Sequence, residues 1–196
     1  MKVHLEWRKG QPVITGREVD YVGGQLEKAW EEAFLSYGLM GRGWAQVLLI
    51  GMGASLMQIL SRTGQPPPVE VLILEKDPQM VQLQEAYFDL PLPYRVMLGD
   101  AGQTIHEVGK TFDGIFVDAF VEWEVPENFL QGAFVEALHR RLAPKGILVW
   151  NVLLPRQAKQ VESLLRAVWP LMRVRRLGAH YFFLAGAQEA AGGWPF

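Results

Sequence analysis

The segment Val47-Leu48-Leu49-Ile50-Gly51-Met52-Gly53 joins an unbroken apolar run to a turn with a glycine at each end. Consecutive branched aliphatic residues with no polar residue between them describe a strand buried on both faces, the habit of parallel sheets covered by helices. An apolar helix to about Leu60 is expected next, and Pro66-Pro67-Pro68 stops it. The same rhythm then repeats. Val69 to Leu74 reads as a second buried strand ending at Glu75, and Asp77-Pro78 supplies the N-cap and first-turn proline of a helix to about Phe88. Tyr94 to Leu98 is a third strand, closed by Gly99-Asp100 and followed by a short helix leading to Gly109. Phe112 to Val117 is a fourth, ending at Asp118.

Beyond a loop holding Glu122, Trp123, Glu124 and Pro126, a helix is expected from about Gln131 to Leu142. Ala143-Pro144-Lys145-Gly146 reads as a turn into a fifth strand, Ile147 to Val152. A helix from about Arg156 to Trp169 places Val161, Leu164, Leu165 and Val168 on one face. Leu171 to Leu177 and Tyr181 to Ala185 are separated only by Gly178-Ala179-His180. That connection is too short for a parallel crossover, so the pair must be an antiparallel hairpin. The pattern predicts an α/β protein with a doubly wound, Rossmann-like sheet, mostly parallel, with a C-terminal antiparallel hairpin.

Outward in the other direction, Val3 to Trp7 and Pro12 to Thr15 read as short strands, and Leu26 to Tyr37 as a helix. The expected organisation is an N-terminal β-hairpin and linking helix over 1–40, the Rossmann-like domain over 41–186 and a tail over 187–196 containing Trp194 and Phe196.

Composition narrows the function. Lys plus Arg is 19 and Asp plus Glu is 21, a net charge of −2, which gives no general electrostatic reason to expect nucleic acid or an anionic membrane. There is no cysteine, which excludes disulfides, thiolate nucleophiles and cysteine-bound zinc. His4, His106, His139 and His180 lack metal-ligand spacing, so no metal is expected; each reads as a surface or structural residue, with an acid or base role as the second reading of His180 in the final hairpin. The opening residues lack the apolar run of a signal peptide, and a cytoplasmic location is the default expectation.

Open parallel sheets bind ligands outside the carboxyl ends of their strands. Gly51-x-Gly53 lets backbone approach a ligand and aims a helix N-terminus at it. Glu75 ends the next strand, 24 residues after Gly51, where a carboxylate can accept from the hydroxyls of a ribose. Asp100 can accept from an adenine amine, and it can equally cap the helix that follows it. A nicotinamide-dinucleotide fingerprint needs a small residue where this chain has Leu56. Arg173 and Arg175 share one face of a strand and read as a solvated sheet edge. Trp123 reads as a ligand-stacking residue, a lid or an interface anchor.

Taken together, Val47 to Gly53, Ile73-Leu74-Glu75-Lys76-Asp77-Pro78, Leu98-Gly99-Asp100, Phe112 to Asp118 and Leu142 to Val149 resemble the successive motifs of class I S-adenosylmethionine-dependent methyltransferases. The resemblance covers roughly residues 44 to 186 and is strongest to the spermidine synthase (aminopropyltransferase) branch. It implies S-adenosylmethionine or its decarboxylated form as cofactor. It also implies that Gly51 and Gly53 lie against the methionine-like part, that Glu75 holds the ribose and that Asp100 meets the adenine. Asp118 matches the first acid of the Asp-x-x-Asp segment beside the transferred group, and is the candidate catalytic residue. A homodimer paired through N-terminal strands and a small-molecule acceptor are further implications.

The departures are specific. The family's Gly-Gly-Gly-Asp-Gly-Gly loop has lost its acid to Ala54, and the acid that ordinary methyltransferases carry two residues before the first glycine is Leu49 here. The second acid of Asp-x-x-Asp is Val121, and the Tyr-Gln segment ahead of the domain is reduced to Tyr21 with Gln25. Aminopropyl transfer needs a base for an ammonium and several carboxylates for a polycation. Two readings therefore stand: a transferase, with methyl transfer favoured, acting on an unidentified small molecule, and a non-catalytic nucleoside-binding or assembly module.

Overall fold

A computed structural model describes residues 3–63 and 66–186; the expected tail at 187–196 lies outside the described residues. The chain opens with β1 (His4–Arg8), β2 (Gln11–Thr15) and β3 (Asp20–Val22), a small antiparallel sheet in that order, followed by α1 (Gly24–Ser36). The alternating part comprises β4 (Gln46–Ile50), α2 (Ala54–Thr63), β5 (Glu70–Glu75), α3 (Pro78–Tyr87), β6 (Tyr94–Leu98), α4 (Ala101–Thr104) and β7 (Phe112–Val117). It continues through a 3-10 turn (Glu127–Leu130), α5 (Gly132–Arg141), β8 (Leu142–Val152), α6 (Pro155–Val168), β9 (Arg173–Leu177) and β10 (His180–Gly186).

These strands form one seven-stranded sheet in the order β6-β5-β4-β7-β8-β10-β9. The five strands from β6 to β8 are parallel, and β10 runs antiparallel to both β8 and β9. The expected doubly wound sheet with a terminal hairpin is therefore the observed one. Each strand's alternation divides the core between two helical layers. Leu48, Ile50, Leu72 and Leu74 face α4, α5 and α6, while Val47, Leu49, Val71 and Ile73 face α1 and α2. A third, smaller cluster joins Val3, Ile14 and Val22 of the N-terminal sheet to Ala54 of α2 and Met80 of α3.

Local details differ from expectation for identifiable reasons. The expected turn at Ala143–Gly146 is part of β8, which pairs Phe112 with Leu142 and then Gly114 with Ile147 across a register shift. The extra residues bulge, and Gly146 is needed because a Cβ there would sit 2.7 Å from the Phe112 carbonyl oxygen. α4 stops at Thr104, well short of Gly109. The hairpin connection is Gly178-Ala179, and His180 already belongs to β10. β3 and the 3-10 turn carry too few residues for any periodicity to reveal them.

The topology fixes the place of the site. From β4 the chain winds one way to β5 and β6, then crosses to the other side of β4 as β7. The loops leaving β4 and β7 diverge there, and the crevice at this switch point opens between them.

Candidate functional site

A cleft of about 980 Å³ lies at that point, lined by the ends of β4, β5, β6 and β7, by Tyr21 of β3 and Arg17 of the β2–β3 connection, and by the 3-10 turn. Gly51, Gly53, Glu75, Asp100 and Asp118, the residues expected to matter, all line it.

Gly51 has φ +94 and Gly53 φ +60, a region that residues with a Cβ rarely occupy. A Cβ on Gly51 would run into the carbonyl oxygen of Asp118, so glycine there lets the β4 and β7 turns pack against each other. Glu75 stitches the floor. Its Oε2 accepts from Met52 N–H at 2.9 Å and its Oε1 from Asp77 N–H at 2.7 Å. Burial pushes its carboxyl above the ordinary value, against hydrogen bonds from the N–H groups of Asp77, Lys76 and Met52. A carboxylate offers about four lone-pair sites, so both oxygens retain capacity for a ligand.

Asp100 caps α4, accepting from Gly102 N–H at 2.9 Å. Asn128 Nδ2 donates to it at 2.7 Å and Lys76 Nζ at 3.2 Å. Partial burial alone would raise its carboxyl; the bonds from Asn128, Gly102 and Lys76 outweigh burial and hold it below its ordinary value. Capping and bordering the cleft are thus compatible, as the two readings of this residue allow.

Asp118 takes its donors from two distant elements. Trp30 Nε1, from α1, donates to Oδ2 at 2.8 Å, and Asn151 Nδ2, from β8, donates to Oδ1 at 3.0 Å. Burial pushes its carboxyl up to about 6, with the Asn151 and Trp30 bonds pulling the other way. Because Asn151 turns its NH2 toward Asp118, its Oδ1 faces His180 Nδ1 at 3.1 Å. That ring nitrogen must then carry the proton, and burial holds His180 down to about 4, neutral near pH 7. His180 does not line the cleft; it reaches the site only through Asn151.

The loop after β7 forms a roof tied to the N-terminal sheet. Glu122 N–H donates to the Tyr21 hydroxyl at 2.6 Å, Glu122 Oε2 accepts from Arg17 N–H at 3.1 Å, and Trp123 Nε1 donates to Glu18 at 2.8 Å. Glu122 occupies φ +55, a conformation that this anchoring maintains. Trp123 is therefore a tie between the roof and the N-terminal sheet. Arg173 and Arg175 lie on the edge strand over the Tyr37 ring, at 5.5 and 5.8 Å, away from the cleft.

Sequence reasoning missed Gln84, Asn128, Asn151 and the polar role of Trp30. Asn151 left a trace, as the lone polar residue inside the apolar run Ile147 to Val152. Gln84 left none; it lies on α3, is 1% exposed, lines the cleft and accepts from Ala54 N–H at 2.8 Å.

The fold is that of class I methyltransferases and spermidine synthases. A spermidine synthase solved with the transition state analogue AdoDATO superposes with a TM-score of 0.73 at 14% identity, covering 94% of this chain and 69% of that one. Human methyltransferase-like protein 13, solved with SAH, gives 0.65 at 19% identity, covering 84% and 81%. In sequence, the polyamine aminopropyltransferase of Chromobacterium violaceum is 24% identical over 129 residues, 64% of this chain and 49% of that enzyme. The matched region thus spans about half the length of that relative. No family model matches the chain.

Proposed function

We propose that the chain is a transferase that binds S-adenosylmethionine or its decarboxylated form and transfers a group, most consistently a methyl group, to a small-molecule acceptor. The observation that carries this reading is Glu75: a half-buried carboxylate at the end of β5 that organises the Gly51–Gly53 turn and keeps lone pairs for two hydroxyls. Gly51 and Gly53 are proposed to lie against the methionine-like part, Glu75 to hold the ribose, and Asp100 with its Asn128 partner to border the base. The buried Nε2 of Gln84, which has no hydrogen-bond partner, is the kind of orphan that a polar ligand satisfies. Structures of this fold solved with SAH and with AdoDATO support the same class of ligand.

The bound nucleoside supplies an electrophilic carbon on a sulfonium; the chain's own residues align the acceptor and exclude water. Asp118, at the cleft wall, is the residue proposed to hold or take a proton from the acceptor, and a carboxyl near 6 is ionised and available above that pH. Methyl transfer is favoured over aminopropyl transfer because the second acid's position is Val121, a 57% exposed aliphatic residue, which leaves Asp118 without a second carboxylate to help deprotonate an ammonium. The same substitution favours a second reading, a nucleoside-binding module without turnover. A homodimer through the N-terminal sheet, where Trp7 is 63% exposed, belongs to the proposal and is tested by sedimentation.

Calorimetric titration with S-adenosylmethionine, decarboxylated S-adenosylmethionine, methylthioadenosine and NAD tests the ligand class. Binding of the adenosyl sulfur compounds but not NAD is expected, and Glu75→Ala should abolish it. Absence of binding to all of them overturns the reading. Binding with no turnover on any acceptor selects the second.

A further inference from the structure

Behind the cleft wall, Asp118 is the first of three polar side chains in a row. Asn151 of β8 stands between it and His180 of β10, with Nδ2 3.0 Å from Asp118 Oδ1 and Oδ1 3.1 Å from His180 Nδ1. Asn151 is fully buried, so neither end of its amide reaches water. With Asp118 ionised, the amide offers its NH2 to the carboxylate, its Oδ1 faces His180, and Nδ1 carries the ring proton.

That arrangement does not serve a protonated Asp118. Trp30 Nε1 donates to Oδ2 and accepts nothing, so an acid proton cannot be directed there. On Oδ1 the proton meets the Asn151 NH2, donor against donor. One rearrangement restores every bond with the three side chains left in place. The amide turns over, and Asn151 Oδ1 accepts from the Asp118 O–H. Its NH2 then donates to His180 Nδ1, which must be the bare nitrogen of the Nε2–H tautomer. Asparagine suits this exchange because its two ends are alike in shape and opposite in polarity. Burial holds His180 down to about 4, so the ring is neutral where Asp118, pushed up to about 6, changes charge. The surrounding titratable groups have partners of their own. The Tyr37 hydroxyl, just after α1, donates to the Phe182 carbonyl, and Arg173, Arg175 and Arg176 of β9 lie over the Tyr37 and Tyr181 rings. Glu75, Asp100 and Glu122 accept from their own donors at the strand ends and the roof. None of these groups shifts Asp118 or His180.

Resting on the transferase reading, in which Asp118 takes a proton from the acceptor, we propose that Asn151 and His180 are positioning residues that give both forms of Asp118 a complete set of hydrogen bonds. As the acceptor's bond to hydrogen breaks, its electrons stay on the acceptor and the proton forms an O–H bond at Asp118 Oδ1. Asn151 turns over to accept from that O–H. His180, which is only half-buried, gives its Nδ1 proton to water and takes one from water at Nε2. The net uptake is the single proton on Asp118.

Nitrogen-15 NMR of the histidine rings in the ligand-free protein tests this, with His180 assigned by the signals lost in His180→Gln. From about pH 8 to about pH 5 the proton-bearing nitrogen of His180 should change from Nδ1 to Nε2, with the same midpoint as the Asp118 carboxyl followed by carbon-13. Asn151→Leu keeps the volume and removes the amide, so Asp118 should still titrate while His180 holds one tautomer throughout. A wild-type His180 that keeps one tautomer across the Asp118 titration overturns the proposal, because the acid proton then points into the cleft. A switch that persists in Asn151→Leu overturns it as well, and the wild-type result decides the matter even where that variant does not fold. A constant tautomer in a protein that binds adenosyl compounds sinks this proposal alone. A coupled tautomer in a protein that binds none of them sinks the transferase reading and leaves the hydrogen-bond switch.

Discussion

A carboxylate removed from water resists ionisation unless donors surround it, and Asp118 shows both effects at once. Unfolded, it titrates near 3.8; folded, it is pushed up to about 6. The folded state therefore favours the protonated acid. The cost of ionising it is complete above about pH 6 and vanishes below 3.8. In the window between, falling pH makes this one group more favourable to folding, opposite to the behaviour of Asp100, whose carboxyl is held below its ordinary value. Trp30→Phe removes a donor to the ionised form, so Asp118 should move above 6 and the acid limb of any Asp118-dependent activity should move with it. Carbon-13 NMR titration of the side-chain carboxyl checks this, and a downward shift would contradict the assigned role of the indole. The lost indole packs against Phe116 and Phe182, so a stability loss of about 1–3 kcal/mol is also expected.

Among the elements, the β4–α2 turn and the roof loop are held in different ways. The turn is held by geometry. Gly51→Ala places a Cβ at φ +94 against the Asp118 carbonyl, where two backbones must part. A loss of about 2–4 kcal/mol is expected in denaturant unfolding, with weakened ligand binding. Gly10→Ala is the control: φ is +78 but nothing lies within 4 Å, so about 1 kcal/mol should be lost. The roof is held by hydrogen bonds to the N-terminal sheet. Tyr21→Phe takes away the acceptor for Glu122 N–H, and hydrogen exchange should accelerate across residues 119–124 while the sheet strands stay protected. A global rather than local rise in exchange would mean that Tyr21 is a core residue first and a roof anchor second.

For the whole molecule, the placement of β10 between β8 and β9 attaches the C-terminal hairpin to the parallel strands, giving one sheet with a core on each face. Among the described residues no helix is long and apolar enough to cross a membrane. The cleft draws on four strand ends, the N-terminal sheet and the 3-10 turn, so a ligand there should stabilise the molecule as a unit. At about 100 times its dissociation constant, methylthioadenosine should add about 2.7 kcal/mol and raise the melting midpoint by roughly 5–10 °C. NAD at the same concentration should leave the midpoint unchanged in differential scanning calorimetry.

The chain's own pattern determined the architecture and the principal carboxylates. Apolar runs such as Val47 to Ile50 have only one stable use, a strand buried on both faces, and the turn residues after each run mark the strand ends where a doubly wound sheet must place its ligand. Glu75, Asp100 and Asp118 were therefore legible, from position alone, as residues lining the cleft. What tertiary structure decided was the partner of each polar group. Trp30 and Asn151 meet at Asp118 from elements 88 and 33 residues away in sequence, Gln84 reaches Ala54 across 30, and Tyr21 reaches Glu122 across 101. No local pattern encodes such pairs, because periodicity reports which face a residue occupies and says nothing of what the opposite face delivers to it.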